Sequence, residues 1–147
     1  RVRGTVRDPN NESKVAPIRE AYGELFSSLE LVQADLTDDA SLASAVAGST
    51  YVVHIAAPIS FFQTEEAYVR PAVDGTLSVL RACKANGVHR CVITSSIAAC
   101  VRPPAAEAPA DGVINESHWS EIPAVTTHPL LMYCKAKTMA EKAAWDF

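Results

Sequence analysis

Long apolar runs, basic blocks and paired cysteines are all missing from this 147-residue chain. Its longest apolar stretches, such as YVVHIAAPI from Tyr51, fall far short of the ~20 residues a membrane-spanning helix needs. The net charge is −4 and no lysine- or arginine-rich run occurs, so neither nucleic acid nor an anionic membrane finds an electrostatic partner. Cys83, Cys91, Cys100 and Cys134 form no C-x-x-C pair and have no histidine at finger spacing, which argues against a metal site and against a disulfide framework. They read as reduced thiols of an intracellular, cytoplasmic protein. No secretory or transit segment is visible, and no methionine opens the chain: Arg1 falls where a strand is already under way. The expectation is a piece cut at both ends.

The residues that are present suit one globular domain. Hydrophobic residues make up 48% and charged ones 20%, and a domain of this size buries about 70% of the surface it exposes when unfolded. The pattern alternates strand and helix. VRGTV (Val2 to Val6) is a short strand ended by the turn residues Asp8-Pro9-Asn10-Asn11, and a helix is expected from about Glu12 to Phe26, with Pro17 and Gly23 inside it. LELVQAD (Leu29 to Asp35) is the second strand. Asp38 or Asp39 can cap the helix DASLASAVAG, which Gly48 ends. YVVHIA (Tyr51 to Ala56) is apolar on both faces, as in a buried parallel strand.

Thr64 is positioned to cap the next helix, where Val69, Val73, Leu77, Leu80 and Cys83 recur at helical spacing, Pro71 threatens a kink and Asn86-Gly87 ends the run. RCVIT (Arg90 to Thr94) is a fourth apolar strand. The proline-rich segment from Ile97 to Pro129 is long enough to be a functional loop. Pro129 then starts a final helix with an apolar stripe of Met132, Ala136, Met139, Ala140, Ala143 and Phe147. Alternation without hairpin signals implies right-handed crossovers and an α/β, doubly wound parallel sheet with helices on both faces.

Such sheets bind ligands beyond the carboxyl ends of their strands. Arg7 follows the first strand, where an arginine can accommodate a 2′-phosphate; Asp8 beside it leaves a plain surface charge equally open. Asp35 either accepts a bond from an adenine amino group or starts a turn, the turn being favoured by local chemistry. Ala56-Ala57-Pro58 is small enough for a flat ligand to approach the backbone, while His54 reads as a core histidine. Thr94-Ser95-Ser96 offers hydroxyls at the end of the fourth strand.

Tyr133 and Lys137 lie four apart and therefore share a helix face. An ammonium beside a phenol favours the phenolate, and a tyrosine so placed can donate a proton to a carbonyl oxygen that a serine hydroxyl holds. Spacing alone is weak: chance puts such a pair in about one chain in seven of this composition. Its place after a strand-Ser-Ser turn gives it weight.

From Val2 to Phe147 the sequence resembles the extended short-chain dehydrogenase/reductases, and among them the dihydroflavonol reductase and cinnamoyl-CoA reductase branch. The likeness is carried by VRGTVRDP, ADLTDDASL, VVHIAAP, RPAVDGTLSVLRACKANGV, VITSSIAA, NESHWSE and YCKAKTMAEKAAW. It implies a Rossmann-like fold, one partial NAD(P)-binding domain over residues 1–147, and a catalytic triad of Ser96, Tyr133 and Lys137. It further implies that Arg7 and Lys14 hold the 2′-phosphate of NADP(H), that Asp35 and Leu36 meet the adenine, and that Ile55, Ala56 and Ala57 line the cofactor beside Tyr133 and Lys137. No metal is implied. The chain departs from the family pattern at Ala136, where serine is usual, and at Ala57, where threonine is common. Val101 falls near a position where plant flavonoid reductases use asparagine, which points away from a flavonoid.

The family's G-x-x-G-x-x-G phosphate loop and C-terminal substrate elements are absent from the sequence. In the strand order 3-2-1-4-5 the strand that carries that loop is central, between VRGTV and YVVHIA. The 147-residue piece alone is therefore expected to fold poorly and to be inactive. The expected partner of the whole protein is a small carbonyl compound, with Phe61, Phe62 and the Ile97–Pro129 loop as candidates for an apolar pocket; oligomeric state is unreadable. Two alternatives stand beside the carbonyl reductase: a nucleotide-sugar epimerase or dehydratase of the same superfamily, and a nucleotide-binding module without chemistry.

Overall fold

The computed structural model describes residues 1–58, 64–101 and 109–147. Phe61 and Phe62 lie outside the described residues. The strands form two parallel ladders. In one, β1 (Val2–Val6) runs beside β2 (Leu29–Gln33) with Val2 opposite Leu29; in the other, β3 (Tyr51–His54) runs beside β4 (Arg90–Ile93) with Tyr51 opposite Arg90. Among the described residues β1 pairs only with β2 and β3 only with β4. These are the neighbours that the 3-2-1-4-5 order requires.

Helices link the strands. α1 (Glu12–Tyr22) is shorter than its sequence suggests: Gly23 leaves the helix at a φ of +53°, and the chain continues as a 3₁₀ turn, Gly23–Ser28. Glycine takes this conformation without the steric cost that other residues meet there. α2 (Asp39–Val46) is capped by Asp38, whose carboxylate accepts from the amides of Ala40 and Ser41. α3 (Glu65–Ala85) is capped by Thr64 and runs past Pro71 as one continuous helix. α4 (Pro129–Asp146) has its proline in the first turn, where the missing amide costs no bond.

α3 is the hub of the packing, and its buried face differs from the apolar spacing in the sequence. Tyr68, Ala72, Gly75, Thr76, Ser78, Val79, Ala82 and Cys83 are buried, whereas Val69, Val73, Leu77 and Leu80 are only half-buried. The reason is close approach on two sides, against α2 and against α4, which favours small residues over branched ones. Gly75 shows how close: a Cβ there would stand 3.0 Å from Leu36 Cβ and 3.2 Å from the Leu36 carbonyl oxygen. One core cluster joins Ala34, Leu42, Ala45 and Val46 to Val79, Ala82 and Cys83, with Val52 and Cys91 packed on it. A second joins Tyr68 and Ala72 of α3 to Met132 and Ala136 of α4, directly beside Tyr133.

β3 is not buried on both faces as its composition suggests. Val52 and His54 face the packed side, while Tyr51 and Val53 are exposed, as is Val92 of β4. The end of α4 also opens outward: Met139 and Phe147 of the expected stripe are exposed. No helix among the described residues is long and apolar enough to cross a membrane.

Candidate active site

The ends of β3 and β4 and the inner face of α4 converge on one place. The β3–β4 ladder extends one residue further, because the Thr94 amide donates to the His54 carbonyl at 2.9 Å. The chain then stays extended through Ser96, whose hydroxyl oxygen accepts from the Ala98 amide at 3.2 Å and so caps a short 3₁₀ turn, Ile97–Ala99. The Ser120 amide closes on the Ala99 carbonyl at 2.7 Å, which ties the following loop to this turn.

Across from the turn stands α4. Tyr133 donates its phenol hydrogen to Ser96 Oγ at 3.3 Å. Lys137 Nζ donates to the Thr94 carbonyl at 3.1 Å, and Ser95 donates its hydroxyl to Glu141. Thr138, buried on the adjoining face, donates to Cys134 of its own helix at 2.8 Å and reaches the Ala99 carbonyl at 3.4 Å. Ser96, Tyr133 and Lys137, which are 37 and 41 residues apart along the chain, are thus assembled on one surface. A small cavity of about 30 Å³ opens beside them, lined by Ala56, Ala57, Thr94, Lys137, His54 and Glu141 among others.

His54 forms the floor. It is 7% exposed, and its Nε2 lies 3.4 Å from the Thr76 hydroxyl, which itself donates to the Ala72 carbonyl at 2.8 Å. Burial holds its imidazole below the usual histidine range, and the Lys137 charge adds to that. The sequence reading of a core histidine is what the structure shows.

The other predicted residues sit elsewhere along the carboxyl edge. Asp35 follows β2, where its carboxylate accepts from the Thr37 hydroxyl at 2.6 Å and the Thr37 amide at 2.8 Å. These bonds hold its carboxyl below the ordinary range, with a further contribution from the charge of Arg7. Asp35 is therefore a turn former, as local chemistry favoured, and Arg7 lies within its electrostatic reach. Leu36 packs on Gly75. Lys14 is exposed on the first turn of α1. Ile55 is 67% exposed just past β3, and Ala56 follows it on the surface.

Sequence reasoning passed over Glu141 and took Ser95 only as one of the hydroxyls at the end of the fourth strand. The signal was available: Tyr133, Lys137 and Glu141 recur at intervals of four and mark a single helix stripe.

A profile of the 3-beta hydroxysteroid dehydrogenase/isomerase family matches residues 10–145. The chain belongs to that family. Within it the chain stands with the extended short-chain dehydrogenase/reductases of the dihydroflavonol reductase branch. It is 38% identical over 154 aligned residues to an anthocyanidin reductase ((2S)-flavan-3-ol-forming) of Vitis vinifera, covering 99% of this chain and 44% of that protein. A dihydroflavonol 4-reductase of Hordeum vulgare is 36% identical, over 99% of this chain and 41% of its own length. Among solved structures, yeast methylglyoxal/isovaleraldehyde reductase in complex with NADPH superposes with a TM-score of 0.78 at 28% identity, over 99% of this chain and 45% of that one. The chain thus spans a little under half the length of the relatives it matches, and its fold is the Rossmann type of those reductases.

Proposed function

We propose that the full-length protein containing this chain is an NADP(H)-dependent oxidoreductase that reduces the carbonyl of a small, apolar aldehyde or ketone to an alcohol. The Tyr133–Ser96 hydrogen bond, formed one helical turn from Lys137, carries the reading. The reading is supported by the closeness of the Tyr133 phenol and the Ser96 hydroxyl at the carboxyl end of a parallel strand, where such folds bind their ligands.

The residues suit the cofactor. Ala56 and Ala57 leave the backbone accessible beside Lys137, and Arg7 supplies a cation past the end of β1, within electrostatic reach of Asp35, whose Oδ1 accepts from Thr37. NADPH, when bound, supplies hydride to the carbonyl carbon. The chain's own residues handle the oxygen. Ser96 and Tyr133 donate to it, and the Tyr133 hydroxyl proton passes to it as its charge develops. Lys137, anchored by the Thr94 carbonyl, keeps a positive charge near the phenol that favours the resulting phenolate. Arg7 and Lys14 serve the 2′-phosphate, Asp35 and Leu36 the adenine, and Ile55, Ala56 and Ala57 the face of the cofactor. The two NADPH-bound yeast-type reductases similar to this chain support the cofactor assignment.

The test is NADPH oxidation by the full-length protein, followed by absorbance, with isovaleraldehyde and a panel of aromatic aldehydes and ketones. Turnover that depends on NADPH and collapses in Tyr133→Phe is expected. Turnover of a nucleotide sugar with no carbonyl reduced from the panel would overturn the proposal.

A further inference from the structure

Tyr133, Lys137 and Glu141 form one stripe along α4, each about 40° around and about 6 Å along from the last. They bind three consecutive residues: Tyr133 meets Ser96, Lys137 meets Thr94, and Glu141 meets Ser95. We propose that Glu141 is a positioning residue for the Ser96–Tyr133 pair, acting through the Ser95 hydroxyl. The inference rests on the reading of Ser96 and Tyr133 given above.

Of the three contacts, only that of Ser95 gives a hydroxyl proton to a carboxylate, the stronger and more directional kind of bond. The Tyr133–Ser96 contact is long for a pair of hydroxyls, at 3.3 Å, and does not fix its own geometry. Ser96 has the extended backbone of φ −158° and ψ 151°. Ser95 is joined directly to Ser96 and both side chains reach α4, so a Ser95 side chain held by Glu141 restrains the backbone from which the Ser96 side chain departs. Glu141 is itself half-buried, and the Trp145 indole reaches its second oxygen at 3.5 Å. Among the described residues no other carboxylate lines the cavity beside Lys137. Glu141 therefore has a place in the site that Tyr133 and Lys137 alone do not explain.

Displacing a catalytic group by about 1 Å can cost about 100-fold in rate. In the full-length protein, with NADPH and isovaleraldehyde, Ser95→Ala and Glu141→Ala are each expected to lower kcat by about 10- to 100-fold on that scale while KM for both substrates stays within about twofold. The double variant is expected to be no worse than either single one, because the two residues act as one unit. Glu141→Gln is expected to recover most of the rate, since its amide oxygen still accepts from Ser95. Ser95→Ala removes a single oxygen and so tests the idea even where Glu141→Ala fails to fold. Wild-type kcat in Ser95→Ala, or losses that multiply in the double variant, would overturn the positioning role. Tyr133→Phe separates the two levels. If it is inactive while Ser95→Ala is fully active, only the positioning role fails; if Tyr133→Phe keeps wild-type kcat, the acid assignment fails and the positioning role falls with it.

Discussion

Glu65, at the first turn of α3, holds Lys135 of α4 by an ion pair of 2.6 Å and with its other oxygen accepts from the Thr126 amide at 2.8 Å. Lys135 in turn donates to the Ala124 carbonyl at 2.5 Å. One carboxylate and one ammonium thereby clamp the end of the loop that leads into α4, immediately before Tyr133. Glu65→Ala is expected to free the 124–128 segment, seen as faster hydrogen exchange at the Thr126 amide, with exchange in β1 and β2 unchanged.

The same carboxylate gives a pH dependence. The bonds from Lys135 and from the Thr126 amide hold Glu65 below its usual value of 4.5. A depressed carboxyl contributes stability that is present above its unfolded pKa and lost as pH falls through its folded one. Protection of Thr126 against exchange is therefore expected to persist near neutral pH and to fall in acid below about 4.5, and Glu65→Gln is expected to remove that dependence.

His54 favours its neutral rather than its charged form, yet the slope is the same. Its imidazole is held below the usual 6.5, so the unfolded chain takes up a proton that the folded one refuses. Stability from this group is complete above about pH 6.5 and declines as pH falls below it. Urea unfolding of the full-length protein is expected to show a midpoint that drops on acidification across this range, and less so in His54→Gln. An unchanged slope in the variant would count against it.

Gly75→Ala tests the closeness of α3 to the turn after β2. The new methyl would meet both the side chain and the backbone of Leu36 at 3.0–3.2 Å. Overpacking of this kind costs about 1–3 kcal/mol, against about 1 kcal/mol gained in helix propensity. A net loss of about 1 kcal/mol is expected, read as a lower melting temperature. Because Leu36 is proposed to meet the adenine, NADPH affinity of the full-length protein is expected to fall as well.

Why some of this was legible in the sequence and some was not follows from the residues themselves. Tyr133 and Lys137 stand out because helix periodicity is local, and the Ser-Ser turn stands out because it ends an apolar run. The caps at Asp38 and Thr64 are equally local. The buried face of α3 is not: Val69, Val73 and Leu77 are the more apolar choice, and only the two-sided crowding by α2 and α4 selects Ala72, Gly75, Thr76 and Ser78 instead. The end of α1 at Gly23 could be read as a cap or as an interior glycine, and its positive φ decides. Glu141 falls on the same four-residue period as Tyr133 and Lys137, but what it binds is not visible until Ser95, 46 residues away, is seen against it.

The stripe of Tyr133, Lys137 and Glu141 also bears on how this segment can change in length. Inserting or deleting one residue between them would turn everything beyond it by about 100° about the helix axis, carrying Glu141 or the tyrosine off the turn that they share. A compensating shift in Thr94, Ser95 and Ser96 is opposed, because Thr94 is fixed against His54 at the end of the β3–β4 ladder and the two serines follow it directly. Length variation among homologous sequences is therefore expected to be tolerated in the long connection before Pro129 and to be barred within the nine positions from Tyr133 to Glu141.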